Sequence, residues 1–242
     1  DEEESKKAVK NILNRRSHLI LLAQNQTGLN NLFQLVSKSY CNENFYRFPR
    51  IDYSMLSQHN EGIICSTACL GGVLSKQYWE NRANGPEEIK RAMRNVVREF
   101  KNIFGSRFFG ELQWNAIPEQ HEVNKFIIDV CGEEDIALIS TADAHYQNPE
   151  LWKDRELYRS LGWLNKKRSE NFAFPESKED LSYELYPKNG DEMWESYKDY
   201  SEKCGFDYDD SLILDSITRT HQLAHNLIED FMKNNEIRLQ SF

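Results

Sequence analysis

The strongest constraint on the fold is an alternation of short apolar runs with longer segments of helical periodicity. Four runs read as buried strands: His18-Leu19-Ile20-Leu21-Leu22-Ala23, Gly62-Ile63-Ile64-Cys65-Ser66-Thr67-Ala68-Cys69, Arg107-Phe108-Phe109-Gly110-Glu111-Leu112-Gln113 and Ile136-Ala137-Leu138-Ile139-Ser140. Each is too short and too closely bounded by turn residues to be a helix. The segments between them carry apolar residues three and four apart. In residues 29–40, Leu29, Leu32, Phe33 and Val36 share one face, with Thr27 as the expected N-cap. A short helix is expected over 53–58. Pro86 opens a helix to about residue 104 with Ile89, Met93, Val96, Val97, Phe100 and Ile103 as its stripe. Pro118 opens another to about residue 131, with Val123, Phe126, Ile127 and Val130 inward. This order predicts an α/β fold built of parallel β/α units. Beyond Tyr146 the pattern changes. A helix over 150–164, a polar loop over 165–182 containing Phe172, Phe174 and Pro175, an extended piece at 183–187, and helices near 191–197 and 211–234 read as a helical layer.

Chemistry-bearing residues gather where these strands begin or end. The last strand runs into Thr141-Ala142-Asp143-Ala144-His145-Tyr146. On extended backbone, residues two apart share a face, so Asp143 and His145 converge. A carboxylate oxygen with an imidazole nitrogen suits Zn²⁺, Mn²⁺ or Fe²⁺, and α/β proteins place their sites at carboxyl ends of strands. Asp-x-His by itself is a weak motif, more often an ordinary polar turn than a site. Cys69 stops the second strand before Leu70-Gly71-Gly72, and its position also suits a small buried hydrophobe, the reading given to Cys65. His18 heads its strand, so in a parallel sheet it enters from the opposite rim, and a satisfied strand-start histidine is the plainer reading. His221 and His225 lie four apart on the last helix. No Glu follows His221 in the zincin pattern, and a solvated helix face is their ordinary role. Glu111 either points into a strand-end site or is a salt-bridged or exposed carboxylate.

A net charge of −9 is not that of a free-standing nucleic-acid binder. DNA contact would need a local basic patch or a basic neighbouring domain. No apolar run approaches the length of a membrane span, and no secretory signal opens the sequence. The five cysteines are odd in number and lack disulfide spacing, which predicts reduced thiols and a cytoplasmic setting.

The run from His18 to Asn25, followed by Thr27-Gly28-Leu29-Asn30-Asn31-Leu32, resembles a stretch near the start of bacterial C-family replicative DNA polymerases, the polymerase III alpha subunits. Further blocks match that family in order: Pro49-Arg50-Ile51-Asp52, Glu61-Gly62-Ile63-Ile64, Ala68-Cys69-Leu70-Gly71-Gly72, the run from Arg107 to Gln113, and Thr141-Ala142-Asp143-Ala144-His145-Tyr146. Asp191-Glu192-Met193 and the final helix resemble the segment leading to the palm. The resemblance covers essentially everything from His18 onward.

That resemblance implies a PHP (polymerase and histidinol phosphatase) domain, a distorted β/α barrel. Where its site is intact it holds a cluster of divalent metals, used by some members for 3′→5′ exonuclease proofreading and purely structural in others. By resemblance His18, Cys69, Asp143 and His145 occupy metal-ligand positions, with Zn²⁺ or Mn²⁺ as the implied ion. The family's His-x-His strand and further ligands fall before Asp1, and its palm and fingers after Phe242. The expected organisation is a charged segment at 1–17, a partial PHP β/α domain at 18–149 lacking its first strands, and a helical part at 150–242 leading towards the palm. Exposed sheet edges would then need covering, and an incomplete ligand set would bind metal weakly. The functional expectation is a structural or proofreading-related piece of a larger replicative polymerase, split or continuous. Its partners would be the chains or domains carrying the N-terminal PHP strands, palm and fingers. DNA would be reached through the assembled enzyme, with no membrane involved. Two alternatives are a free-standing metal-dependent phosphoesterase or 3′→5′ exonuclease, and a non-catalytic replication scaffold. The chain by itself is expected to show no polymerase activity and at most trace exonuclease activity.

Overall fold

The computed structural model describes residues 16–45, 47–163 and 175–227. Strands β1 (Ile20–Ala23), β2 (Ile63–Ser66), β3 (Phe108–Gln113) and β4 (Leu138–Thr141) follow one another in a sheet of order β1-β2-β3-β4. Eight α-helices are described: α1 (Gln26–Ser39), α2 (Tyr53–Gln58), α3 (Val73–Asn81), α4 (Pro86–Phe104), α5 (Pro118–Glu133), α6 (Trp152–Trp163), α7 (Gly190–Cys204) and α8 (Asp210–Gln222). The α/β class is as expected, and the arrangement fits part of a β/α barrel. Among the described residues no helix is long and apolar enough to cross a membrane.

The all-parallel expectation is corrected at the first strand pair. β1 runs antiparallel to β2, with Ile20 opposite Ser66 and Ala23 opposite Ile63, while β2 and β3 are parallel. Periodicity reports element type and not direction, which long-range pairing sets. Strand β1 ends the strand order, and its alternate side chains Ile20 and Leu22 are 42% and 40% exposed. β2 and β3 are buried along their whole length.

Two compact units divide the chain. The first takes its described residues from Asp1–Gly110, Val130–Ala137 and Gln222–Phe242, the second from Glu111–Asp129 and Leu138–His221. In the first unit, α4 buries Ile89, Met93, Val97, Phe100 and Phe104, close to the expected stripe, with Val96 and Ile103 half-buried on its flank. Phe100 stacks on Phe108 at 5.3 Å and meets Tyr53 at 5.4 Å. Each such side chain contributes about 1.5–3 kcal/mol of gross burial energy, so α4 is the main anchor of this unit. Helix α1 departs from expectation. Leu35 is its buried anchor, whereas Phe33 and Val36 are 59% and 57% exposed. Its cap is Asn25, whose side chain accepts from Gly28 N, and not Thr27. Helix α3, absent from the periodicity reading, packs on α4 and buries Leu74 and Tyr78.

In the second unit β4 is tied to α8. Ser140 N donates to Thr220 Oγ1 at 3.1 Å, Thr220 Oγ1 donates to Ser140 O at 2.8 Å, and the Ser140 and Ser216 hydroxyls meet at 2.7 Å. Trp114 packs edge-on against Tyr197 and Tyr208, and buried His121 bridges Tyr208 OH and the Asn115 carbonyl at 3.0 and 2.9 Å. Helix α7 begins at a capping box, Asn189 with Glu192, and ends at left-handed Gly205. The expected extended piece at 183–187 is irregular chain outside the sheet. The expected charged segment at 1–17 up to Arg15, the aromatic loop residues Phe172 and Phe174, and the last helix beyond Leu227 lie outside the described residues.

Candidate metal centre

Antiparallel pairing answers the rim problem that a parallel sheet would pose for His18. It lays the start of β1 beside the end of β2, and just before that register His18 makes an isolated parallel bridge to Gly72, its N–H donating to Gly71 O at 2.8 Å. The His18 ring thereby meets the Cys69 thiol, with Nδ1 and Sγ 3.4 Å apart. Nitrogen and sulfur ligands at about 2.0 and 2.3 Å from one tetrahedral Zn²⁺ stand about 3.5 Å apart. The two donors therefore already have the spacing of adjacent ligands on a borderline-soft divalent ion.

Several features hold that geometry. Ala68, directly before Cys69, is buried in the left-handed region at φ +61°, which costs an ordinary residue roughly 1–2 kcal/mol. Such strain persists only where surrounding structure over-determines it, and it gathers at functional sites. The turn is pinned from α3: Ser75 Oγ donates to Cys69 O at 2.9 Å and Trp79 Nε1 to Leu70 O at 3.3 Å. Gly72 N donates to Cys69 O at 2.7 Å. A Cβ on Gly72 would stand 2.1 Å from Thr67 O, and one on Gly71 would stand 3.0 Å from His18 Nδ1. The glycine pair thus leaves room for the backbone turn and for the imidazole above it.

Asp143 and His145 lie in the second unit, in the turn that leaves β4. Asp143 adopts φ +49°, a conformation Asp tolerates better than most residues. Their side chains do not simply converge as on extended backbone. His145 Nδ1 instead lies 2.6 Å from the Asp143 main-chain oxygen. A carbonyl only accepts, so Nδ1 carries the proton in this contact, which leaves Nε2 as the ring nitrogen a metal would take. The backbone N–H groups of His145 and Tyr146 both donate to Leu185 O, at 2.7 and 3.2 Å. Asp143 is half-buried and His145 exposed.

Glu111 is not an exposed carboxylate. It is 5% exposed and accepts from Thr141 Oγ1 at 2.6 Å and from Gln113 Nε2 at 3.0 Å. Cys65 is fully buried, as expected, and none of the five cysteines forms a disulfide. His221 and His225 are exposed, on α8 and the short π-turn after it. Among the described residues no group of three or more His, Cys, Asp and Glu side chains is assembled to hold a metal. His18 with Cys69, and Asp143 with His145, are two donor pairs of the residue types that Zn²⁺ or Mn²⁺ takes. Periodicity missed Ser75, Trp79 and Leu185, which fix the ligand turns through groups distant in sequence.

Comparison with known proteins places this geometry in context. Residues 3–115 match the model of the PHP domain. The DNA polymerase III subunit alpha of Aquifex aeolicus is 43% identical over 152 residues, covering 63% of this chain and 12% of that protein. The Borreliella burgdorferi subunit is 37% identical over 185 residues, covering 76% and 15%, and that of Treponema pallidum 32% over 189 residues, covering 78% and 15%. The chain thus spans between 12% and 15% of the length of these three relatives.

Proposed function

The chain carries a PHP domain and is a homologue of bacterial DNA polymerase III alpha subunits, and on that premise we propose that it serves DNA replication as part of the PHP region of a C-family polymerase. Its role there is structural or linked to proofreading. In this reading the other polymerase chains or domains, palm and fingers included, are its partners. DNA is reached through the assembled enzyme, in the cytoplasm. His18 and Cys69, and Asp143 and His145, hold Zn²⁺ or Mn²⁺. A metal bound there supplies an activated hydroxide and stabilises charge on a phosphoryl group. The observation that carries the metal reading is the 3.4 Å approach of His18 Nδ1 to Cys69 Sγ, from residues 51 apart in sequence. That distance is also one a thiol–imidazole hydrogen bond adopts; what supports the ligand reading beside it is the left-handed residue before this half-buried cysteine and the helix pinning its carbonyl.

Cobalt titration of the whole chain tests this. Bound Co²⁺ should show thiolate-to-cobalt charge-transfer absorption that disappears in Cys69→Ser and weakens in His18→Ala. No such absorption in the folded wild type would overturn the ligand assignment of this pair. A second arm offers Mn²⁺ and a 3′-labelled primer. Robust shortening that is lost in Asp143→Asn would move the free-standing phosphoesterase reading to first place. An intact primer alongside normal metal binding would favour the structural role.

A further inference from the structure

The geometry points to Glu111 as a positioning residue for the Asp143–His145 pair, acting through Thr141. The inference rests on reading Asp143 and His145 as metal ligands. It concerns a carboxylate that the ligand set does not include. Glu111 stands in a strand buried along its whole length, between Gly110 and Leu112, at a place where an apolar side chain would fill the space at no polar cost. A carboxylate at that depth persists only when its oxygens are hydrogen-bonded. Thr141 Oγ1 donates to Glu111 Oε1 at 2.6 Å, and Gln113 Nε2 donates to the same oxygen at 3.0 Å. The main-chain carbonyl of Gln113 accepts from Asn124 Nδ2 at 2.9 Å, and Asn124 Oδ1 accepts from Gln120 Nε2 at 2.9 Å. All three amide residues are buried. The carboxylate therefore belongs to a buried polar row that reaches α5.

Stability alone does not explain such a row, because a hydrogen-bonded buried pair exchanged for apolar groups of equal shape is often nearly neutral. What the row fixes is Thr141, the last residue of β4, two positions before left-handed Asp143. The turn is thus tethered at both ends: Thr141 to Glu111, and the His145 and Tyr146 N–H groups to Leu185 O. Between the tethers, the 2.6 Å contact of His145 Nδ1 with Asp143 O sets the ring tautomer. Releasing Thr141 removes one tether, so Asp143 gains access to ordinary extended backbone and the His145 ring loses its fixed acceptor. Partners that orient ligands in this way typically change metal affinity about 10- to 100-fold when removed.

The test compares whole-chain wild type with Thr141→Val, which removes the hydroxyl at equal volume, Thr141→Ser, which keeps it, and Glu111→Met, which removes the acceptor oxygens at similar length. Two quantities are read. One is Mn²⁺ affinity, from the loss of the free-ion electron paramagnetic resonance signal. The other is the metal-free His145 ring nitrogen resonances, assigned with His145→Gln, which report the tautomer. Thr141→Val and Glu111→Met should weaken Mn²⁺ about 10- to 100-fold and move the His145 nitrogens towards averaged tautomers, while Thr141→Ser keeps both. Unchanged His145 nitrogens and Mn²⁺ affinity in Thr141→Val and Glu111→Met, even with lowered melting temperatures, would reduce Glu111 to a packing role and overturn the inference. If wild type binds Mn²⁺ no better than Asp143→Asn, the ligand reading fails, and the ring resonances still decide whether Glu111 positions the turn.

Discussion

Replacing Gly71 with Ala should separate the stability of the first unit from the function of its ligand pair. A Cβ at this position stands 3.0 Å from His18 Nδ1 and 3.1 Å from His18 Cε1, and no backbone atom is nearer. Gly71 is outside the left-handed region, so Ala suits its backbone. Gly→Ala at a compatible site stabilises a fold by about 0.4–1 kcal/mol through the unfolded chain. The neighbour that must yield is an exposed imidazole, which can swing away at little cost. Doing so breaks the 3.4 Å Nδ1–Sγ approach, and a displaced ligand should weaken Co²⁺ or Zn²⁺ binding about tenfold or more, roughly 1.4 kcal/mol. Stability and affinity should thus move in opposite directions. Gly72→Ala provides the contrast, because its Cβ would stand 2.1 Å from the main-chain oxygen of Thr67. That clash can be relieved only by moving the turn, so this variant should lose about 2 kcal/mol or more. Urea midpoints and cobalt titration of both variants make the comparison. Wild-type affinity in Gly71→Ala, while His18→Ala weakens binding, would refute the placement of the ring over Gly71.

Three other perturbations test the structure. Phe100→Ala should destabilise the first unit by about 3–5 kcal/mol in urea unfolding, because it empties the stack with Phe108, Tyr53 and Phe104. Glu156, only 2% exposed, is held by Arg155 and Arg159 at 2.5 and 2.7 Å. Glu156→Ala should cost about 2 kcal/mol in melting experiments, below the range for a fully buried pair because both arginines keep some solvent. His121 has its pKa lowered, chiefly by burial, with Lys125 adding to the effect and the Asn115 carbonyl opposing it. A depressed folded pKa means the unfolded chain binds more protons. Stability is therefore full above pH of about 6.5 and is lost as pH falls towards the folded pKa, no more steeply than about 1.4 kcal/mol per pH unit from this group. Urea midpoints at descending pH should show this slope in wild type and a flatter one in His121→Gln.

Local pattern was enough to give the α/β class, the four strands and most of the helices, because periodicity, Pro at helix starts and turn residues act within a few positions. The stripe of α4 and the bounds of α2 are legible for that reason. Helix α3 is not, since it follows a Gly-Gly turn and buries only Leu74, Ser75 and Tyr78, too few apolar residues for a clear period. Asn25 displaces Thr27 as the cap of α1 because the approach of that helix to the Gly62 turn sets where its first turn begins, and Gln24 N donates to Gly62 O at 2.7 Å. The candidate ligands His18, Cys69, Asp143 and His145 could be named from strand ends and resemblance. How they meet their partners could not. Strand direction is a property of pairing between distant segments: the antiparallel register of β1 on β2 brings the start of β1 to the end of β2, and an isolated parallel bridge from His18 to Gly72 then seats the ring beside Cys69. The burial of Glu111 follows from the same cause: whether a strand carboxylate faces solvent or the Thr141 hydroxyl depends on which strand lies beside it, and that is decided by tertiary packing.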